Sequence, residues 1–145
     1  MFMVSWVQEL ALQSNDMNDE HHALLNKLND LLIALSSPDR TRIVMACNVL
    51  AVEARAHFDS EEAQMREAGY PALEQHREQH EELQRNLSHL LFTANSGAGF
   101  LSSTYPYSFL QLWFVPHLTY ADRKAADFLA ANAAAAQGNS DSGRC

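Results

Sequence analysis

Cysteine is scarce in this chain. Cys47 and Cys145, the two present, lie far apart and outside any C-x-x-C arrangement. That excludes a disulfide framework and a thiolate metal or redox motif, and it is compatible with a reducing compartment. Positive charge is scarce as well: ten Lys and Arg stand against eighteen Asp and Glu, for a net charge of −8. With no basic run, the electrostatic footprint of a nucleic-acid surface is missing. No basic residue precedes Lys27, and the longest uninterrupted apolar runs, such as Leu31 to Leu35, fall far short of the ~18 residues of a membrane span. These absences predict a soluble cytoplasmic protein with no signal peptide, no membrane span and no nucleic-acid partner. Also missing are the H-E-x-x-H zinc-protease motif, a phosphate-cradling Gly-rich loop and the G-x-S-x-G nucleophile elbow.

What is present is apolar residue at helical spacing. Of the 145 residues, 47% are hydrophobic, enough for one domain to bury a core without needing a disulfide or metal merely to fold. Leu24, Leu25, Leu28, Leu31, Leu32 and Leu35 recur at steps of three and four, one face of a helix, and no strand alternation competes. Breakers at Ser36-Ser37-Pro38-Asp39, Gly69-Tyr70-Pro71 and Asn95-Ser96-Gly97-Ala98-Gly99, with Pro106 opening the last segment, divide the chain. Helices are expected over about 17–36, 40–68, 72–94 and 106–132, each ~30 Å long at the α-helical rise. Two short connections force antiparallel neighbours, so the expected fold is all-α, an up-down-up-down antiparallel four-helix bundle. A leader from Met1 to Asp16, carrying Trp6, Leu10 and Leu12, is expected over a bundle end. The domain is placed at 1–136, and 137–145, with nothing to bury, reads as a short disordered tail.

The histidines are unevenly placed. Of seven, His21, His57, His76, His80 and His117 fall on expected helix interiors. His57 and Glu61 are four apart, as are His76 and His80, and four residues return a helix to within about 40° of the same face. Either pair alone is commonplace on a solvated helix. Here the flanks are apolar (Val52, Ala56 and Phe58; Leu73, Leu83 and Leu87), and buried, unpaired imidazoles and carboxylates cost several kcal/mol. Shared metal coordination would satisfy them. His117 and Asp122 are five apart, an offset of about 140° that is marginal for one site. Two readings of the neighbouring Pro116 stand open: a kink that re-aims the following turn, or the start of a new helix.

Assembled, these residues resemble the hemerythrin family, and specifically its single-domain bacterial members. The resemblance runs from Trp6 to Leu129. It comprises Met17-Asn18-Asp19-Glu20-His21 with Leu24 and Leu25; H-F-x-x-E-E at His57 to Glu62, followed by Met65 and Tyr70-Pro71; H-x-x-x-H at His76 and His80; and W-F-x-x-H-x-x-x-x-D from Trp113 to Asp122. Segments in this order and at these spacings make a specific signal. The departures are Asn18 where the family often has Asp, Leu83 where Phe is frequent, Pro116 beside a ligand, and a Ser/Gly-rich third connection. None removes a ligand.

The resemblance implies two iron ions (Fe2+/Fe3+) joined by an oxo or hydroxo bridge. His76, His80 and His117 would hold one and His21 and His57 the other, with Glu61 and Asp122 bridging. Dioxygen would bind at the open position of the two-histidine iron, in a pocket of Leu24, Phe58, Trp113, Phe114 and Leu118. His21 is taken over the adjacent His22 because it keeps Leu24, Leu28 and Leu31 in register; His22 and His89 are then surface residues. Imidazole and carboxylate together suit iron, zinc, copper or nickel, so donor type alone does not choose the metal. Ferritin-like diiron enzymes use four carboxylates and a Glu-x-x-His repeat, which does not occur here. A carboxylate-poor centre favours the ferrous state, and so reversible oxygen binding over oxygenation. The expected function is therefore an oxygen carrier, store, donor or sensor, not an enzyme; a diiron peroxidase or nitric-oxide scavenger is the rival.

Overall fold

The computed structural model describes residues 15–37, 39–96 and 105–142; the leader up to Ser14, Pro38, most of the third connection and the last three residues lie outside them. Within that range the chain is helical, with no strand. Helix α1 spans Asn15–Leu35, α2 Arg40–Ala68 and α3 Leu73–Ser96. The fourth helix of the bundle is continuous from Tyr105 to Ser142 but not uniform. It comprises α4 (Tyr105–Pro116), a π-helical turn (His117–Ala121) and α5 (Asp122–Ser142).

The ends of α2 are set by local chemistry. Asp39 is extended, and its carboxylate accepts from the Arg42 backbone N–H at 3.2 Å, satisfying one donor the helix start leaves over. Gly69 closes the helix in the left-handed region at φ 72°, a conformation disfavoured for residues bearing a Cβ. Its N–H donates to the Arg66 carbonyl at 3.1 Å, and that of Tyr70 donates to Met65 at 2.9 Å. The chain is thereby turned back into α3 within four residues.

Helix α2 packs between α1 and α3, α1 also meets α4, and α5 meets α2. The four-helix bundle is thus formed, and one continuous core runs through it. Leu24, Leu28, Leu31 and Leu32 face Ile43, Leu50, Phe58, Leu83, Leu87, Leu110, Phe114 and Leu118, all buried. Burial of each such side chain contributes roughly 1.5–3 kcal/mol. Cys47 belongs to this core: its thiol donates to the Leu87 carbonyl at 3.4 Å, and burial pushes it up to about 11, which leaves it unreactive. Cys145 lies outside the described residues.

Two boundaries differ from expectation. Pro116 neither ends nor starts the fourth helix; it sits within it at φ −64°, ψ −37°, immediately before the π turn. Helical backbone also continues past 132 to Ser142, into the segment read as a tail. The run Ala133-Ala134-Ala135-Ala136 has the highest helix propensity available and no proline follows it. No helix among the described residues is long and apolar enough to cross a membrane.

Candidate metal centre

Among the described residues, the buried polar or charged side chains are His21, His57, Glu61, His76, His80, His117 and Asp122. They lie in one cluster. His21 comes from α1, where its neighbour His22 is exposed. His57 and Glu61 lie one turn apart on α2, and His76 and His80 one turn apart on α3. His117 and Asp122 come from the fourth helix, which solves its five-residue spacing by local distortion. The Asp122 N–H donates to the His117 carbonyl, a π-type bond that accommodates one residue more than an α-turn. His117 and Asp122 therefore share a face, with Nε2 and Oδ1 2.9 Å apart.

The ligand-type atoms fall into two groups, in each of which all atoms lie within 4.8 Å of one another. Glu61, His76, His80, His117 and Asp122 form one; His21, His57, Glu61 and Asp122 form the other. Glu61 Oε1 lies against His76 Nε2 and 3.4 Å from His80 Nε2, while its Oε2 lies 3.0 Å from His57 Nε2 and 3.9 Å from His21 Nε2. Asp122 places Oδ1 2.9 Å from both His76 and His117 Nε2 and Oδ2 3.0 Å from His21 Nε2. Each carboxylate thus turns one oxygen to each group.

Many of these approaches are short but misaligned for hydrogen bonds. His21 Nδ1 and Nε2, His57 Nε2, Glu61 Oε2, His80 Nδ1 and Asp122 Oδ1 are buried without a hydrogen-bond partner. His80 and His117 point their Nε2 atoms at each other, 3.2 Å apart. Orphaned polar atoms are costly in an interior, and cations would satisfy those turned into the cluster, His21 Nε2, His57 Nε2, Glu61 Oε2 and Asp122 Oδ1. The donor set, imidazole with carboxylate, fits iron among the divalent transition metals.

Protons take the cations' place in the electrostatics of the bare cluster. Burial opposes charging His21 and His76, but the Asp122 and Glu61 carboxylates beside them more than offset it and raise both to about 9. His57 is also raised, against its burial, chiefly by Glu61. Burial wins at His80, which is lowered to about 4. Glu61 and Asp122 are themselves held well below the usual carboxylate range: burial works to raise them, and the surrounding histidines reverse it.

Two residues outside the expected set hold the outward nitrogens. His57 Nδ1 donates to Glu20 Oε2 at 2.8 Å, and His117 Nδ1 donates to Gln79 Oε1 at 2.8 Å. A proton fixed on Nδ1 leaves the Nε2 lone pair facing the cluster, the tautomer that metal coordination needs. Each holder immediately precedes a cluster histidine on its own helix and reaches a histidine on another: Glu20 before His21, Gln79 before His80. For Gln79 that adjacency is the only sequence signal; Glu20 also lies in the Met17 to His21 segment of the family resemblance.

Of the five expected pocket residues, Leu24, Phe58, Phe114 and Leu118 are buried and Trp113 is half-buried. The aromatic pair favours one end. Phe58 stacks on His80, with ring centroids 3.8 Å apart and planes at 4°, and Trp113 stacks on His117 at 4.4 Å and 16°. Leu24 lies at the other end, with Glu20, Ala23, Val52, Glu53, Ala56 and His57 around a cavity of about 350 Å³ between α1 and α2.

Comparison with known proteins bears on this geometry. The family model of the hemerythrin HHE cation-binding domain matches residues 13–129. The bacteriohemerythrin of Stenotrophomonas maltophilia (strain R551-3) is 24% identical over 127 residues, covering 88% of this chain and 82% of that protein. A crystal structure of wild-type hemerythrin matches with a TM-score of 0.79 at 22% identity, over 88% of this chain and 98% of that one. A point variant of hemerythrin matches at 23% identity with the same TM-score, over 89% and 98%. The likeness to these structures is one of fold.

Proposed function

Because the chain belongs to the hemerythrin family, we propose that its buried cluster holds two iron ions and binds dioxygen reversibly, as a carrier, store, donor or sensor of oxygen. The observation that carries this reading is the division of seven side chains into two groups that share only Glu61 and Asp122. Two cations a few Å apart repel strongly, and two shared carboxylates between them supply the negative charge that offsets this. His76, His80 and His117 would hold one iron and His21 and His57 the other, with Glu61 and Asp122 spanning both. Iron in this histidine-rich set supplies a reducible centre with one protein ligand fewer on the two-histidine side, where dioxygen can enter.

The remaining residues of the site act by holding and excluding. Glu20 and Gln79 accept the outward N–H of His57 and His117, fixing ring orientation. Phe58 and Trp113 clamp His80 and His117 between aromatic faces. Leu24, Phe114 and Leu118, buried around the cluster, keep water and protons from it, which slows irreversible oxidation.

Metal analysis and aerobic spectroscopy test the proposal together. Protein made in iron-replete cells should carry about two irons per chain, and its visible spectrum should change reversibly as oxygen is admitted and removed. A persistent stoichiometry of one iron with all seven side chains intact overturns the dinuclear reading. Steady consumption of peroxide or nitric oxide with turnover overturns the binding-protein reading in favour of an enzyme.

A further inference from the structure

A second polar cavity lies apart from the seven clustered side chains. Arg55 of α2 and Glu81, Gln84, Arg85 and Ser88 of α3 line a groove of about 490 Å³. Positive charge gathered in one place is unusual for a chain with only ten Lys and Arg and a net charge of −8. Among the described residues, neither Arg55 nor Arg85 forms an ion pair. Arg55 acts on Glu62 only through its field. Glu81, the one carboxylate of the groove, pairs instead with Arg77 at 3.5 Å. Two guanidiniums thus line one groove without an ion pair of their own, and its one carboxylate has Arg77 as partner.

An independent observation points the same way. The Gln84 side-chain Nε2 is buried and has no hydrogen-bond partner. An unmet buried donor costs roughly 1–3 kcal/mol, and an acceptor oxygen seated in the groove would meet it. Ser88, one turn further along α3, adds a hydroxyl. The groove therefore offers donors and positive charge: two guanidinium forks, an amide and a hydroxyl.

We propose that this groove binds the phosphate group of a small, soluble phosphomonoester. Each guanidinium presents paired N–H donors that match two oxygens of a phosphate, and a dianion balances two positive charges where a carboxylate would leave one unmatched. The groove is larger than a phosphate and within the size range of small-molecule sites, which leaves room for the organic part of the ester. The inference does not rest on the metal reading, and its test does not read oxygen binding.

The test is a titration of the full chain, followed by backbone amide NMR shifts, with inorganic phosphate and with ribose 5-phosphate at constant ionic strength set by sodium chloride. Both should give saturating shifts around Arg55 and from Gln84 to Ser88, with the ester binding more tightly. Arg85→Gln and Arg55→Gln should each weaken binding at least tenfold, whereas Arg66→Gln, on the exposed end of α2, should leave it unchanged. Chloride alone reproducing the shifts, or affinity indifferent to both groove substitutions, overturns the proposal. Saturation by inorganic phosphate with none by the ester marks an adventitious ion only and overturns it too. Binding of a phosphopeptide or of anionic vesicles in place of the ester overturns the choice of ligand.

Discussion

At the scale of single residues, the site is built from side chains whose inward atoms converge, and at His57 and His117 the outward nitrogen is held by a partner on another helix. Four of the inward residues were legible in the spacing because a helix encodes them locally, His57 with Glu61 and His76 with His80 each four residues apart; His21, His117 and Asp122 entered through the family resemblance. The holders were not, because Glu20 and Gln79 reach histidines 37 and 38 residues away on other helices, a relation set by packing. Gln79 makes this testable, being exposed and so removable without harm to the core. Gln79→Leu deletes the acceptor that orients His117 and should lower metal affinity about 10- to 100-fold, whereas Gln79→Glu keeps an acceptor and should retain metal. Iron release to a chelator, with helicity checked by circular dichroism, reads the difference; equal retention in both variants would show that the hydrogen bond orients nothing. Leu24 lines the α1–α2 cavity together with His57 of the two-histidine end. Leu24→Asn is close in size but brings a polar amide that recruits water, so the loaded protein should lose ferrous iron faster in air at unchanged iron content. Leu31→Asn, further along the same core face, is the control; if only the control accelerates, Leu24 is ordinary core.

At the scale of elements, the distortion of the fourth helix is what a purely periodic reading misses. Counting 100° per residue puts His117 and Asp122 on different faces; the π turn supplies the extra residue that brings them together. Pro116 just before it narrowed the sequence reading to a kink or a fresh start; the structure shows no fresh start, since helical backbone runs through Pro116 into a widened turn that re-aims Asp122. The limits of α2 were legible because Asp39 and Gly69 act on adjacent backbone groups. The end of α5 was not, since an alanine run carries no stop signal. Deletion of Thr119, a partly buried residue inside the π turn, should restore plain α-helix and leave His117 and the aspartate four residues apart, within about 40° of one face. The variant should stay helical by circular dichroism, because the backbone bonds lost as π are regained as α, and keep its iron, whereas insertion of one alanine after Thr119 adds a further ~100° and should cost at least one iron per chain. Iron loss on deletion, or full retention on insertion, would mean that the register between the two ligands is not what the turn sets.

At the scale of the whole molecule, one cluster joins all four helices of the bundle, so its protonation is felt as stability. In the metal-free protein His21 and His76 titrate near 9 when folded, against an ordinary 6.5. Their stabilisation is complete below pH 6.5 and is lost as pH rises through 9. His80, lowered to about 4, works oppositely, destabilising the fold as pH falls below 6.5. Glu61 and Asp122, held below the usual carboxylate range, contribute stability above the ordinary carboxylate pKa and lose it as pH falls through their lowered values. The metal-free protein should therefore be most stable near pH 6 to 7 and weaken on both sides, with an alkaline loss on the order of a few kcal/mol. General repulsion in a chain of net charge −8 also grows with pH, and the iron-loaded protein controls for it. There the metal displaces the protons of His21 and His76, so the decline between pH 7 and 9 should shrink markedly, and loading at pH 7 should release protons into a weakly buffered solution. Urea unfolding of both forms from pH 5 to 10 makes the comparison. Parallel alkaline decline in the two forms would assign the effect to surface repulsion, and a metal-free protein that gains stability from pH 7 to 9 would contradict the shared-proton account of the cluster.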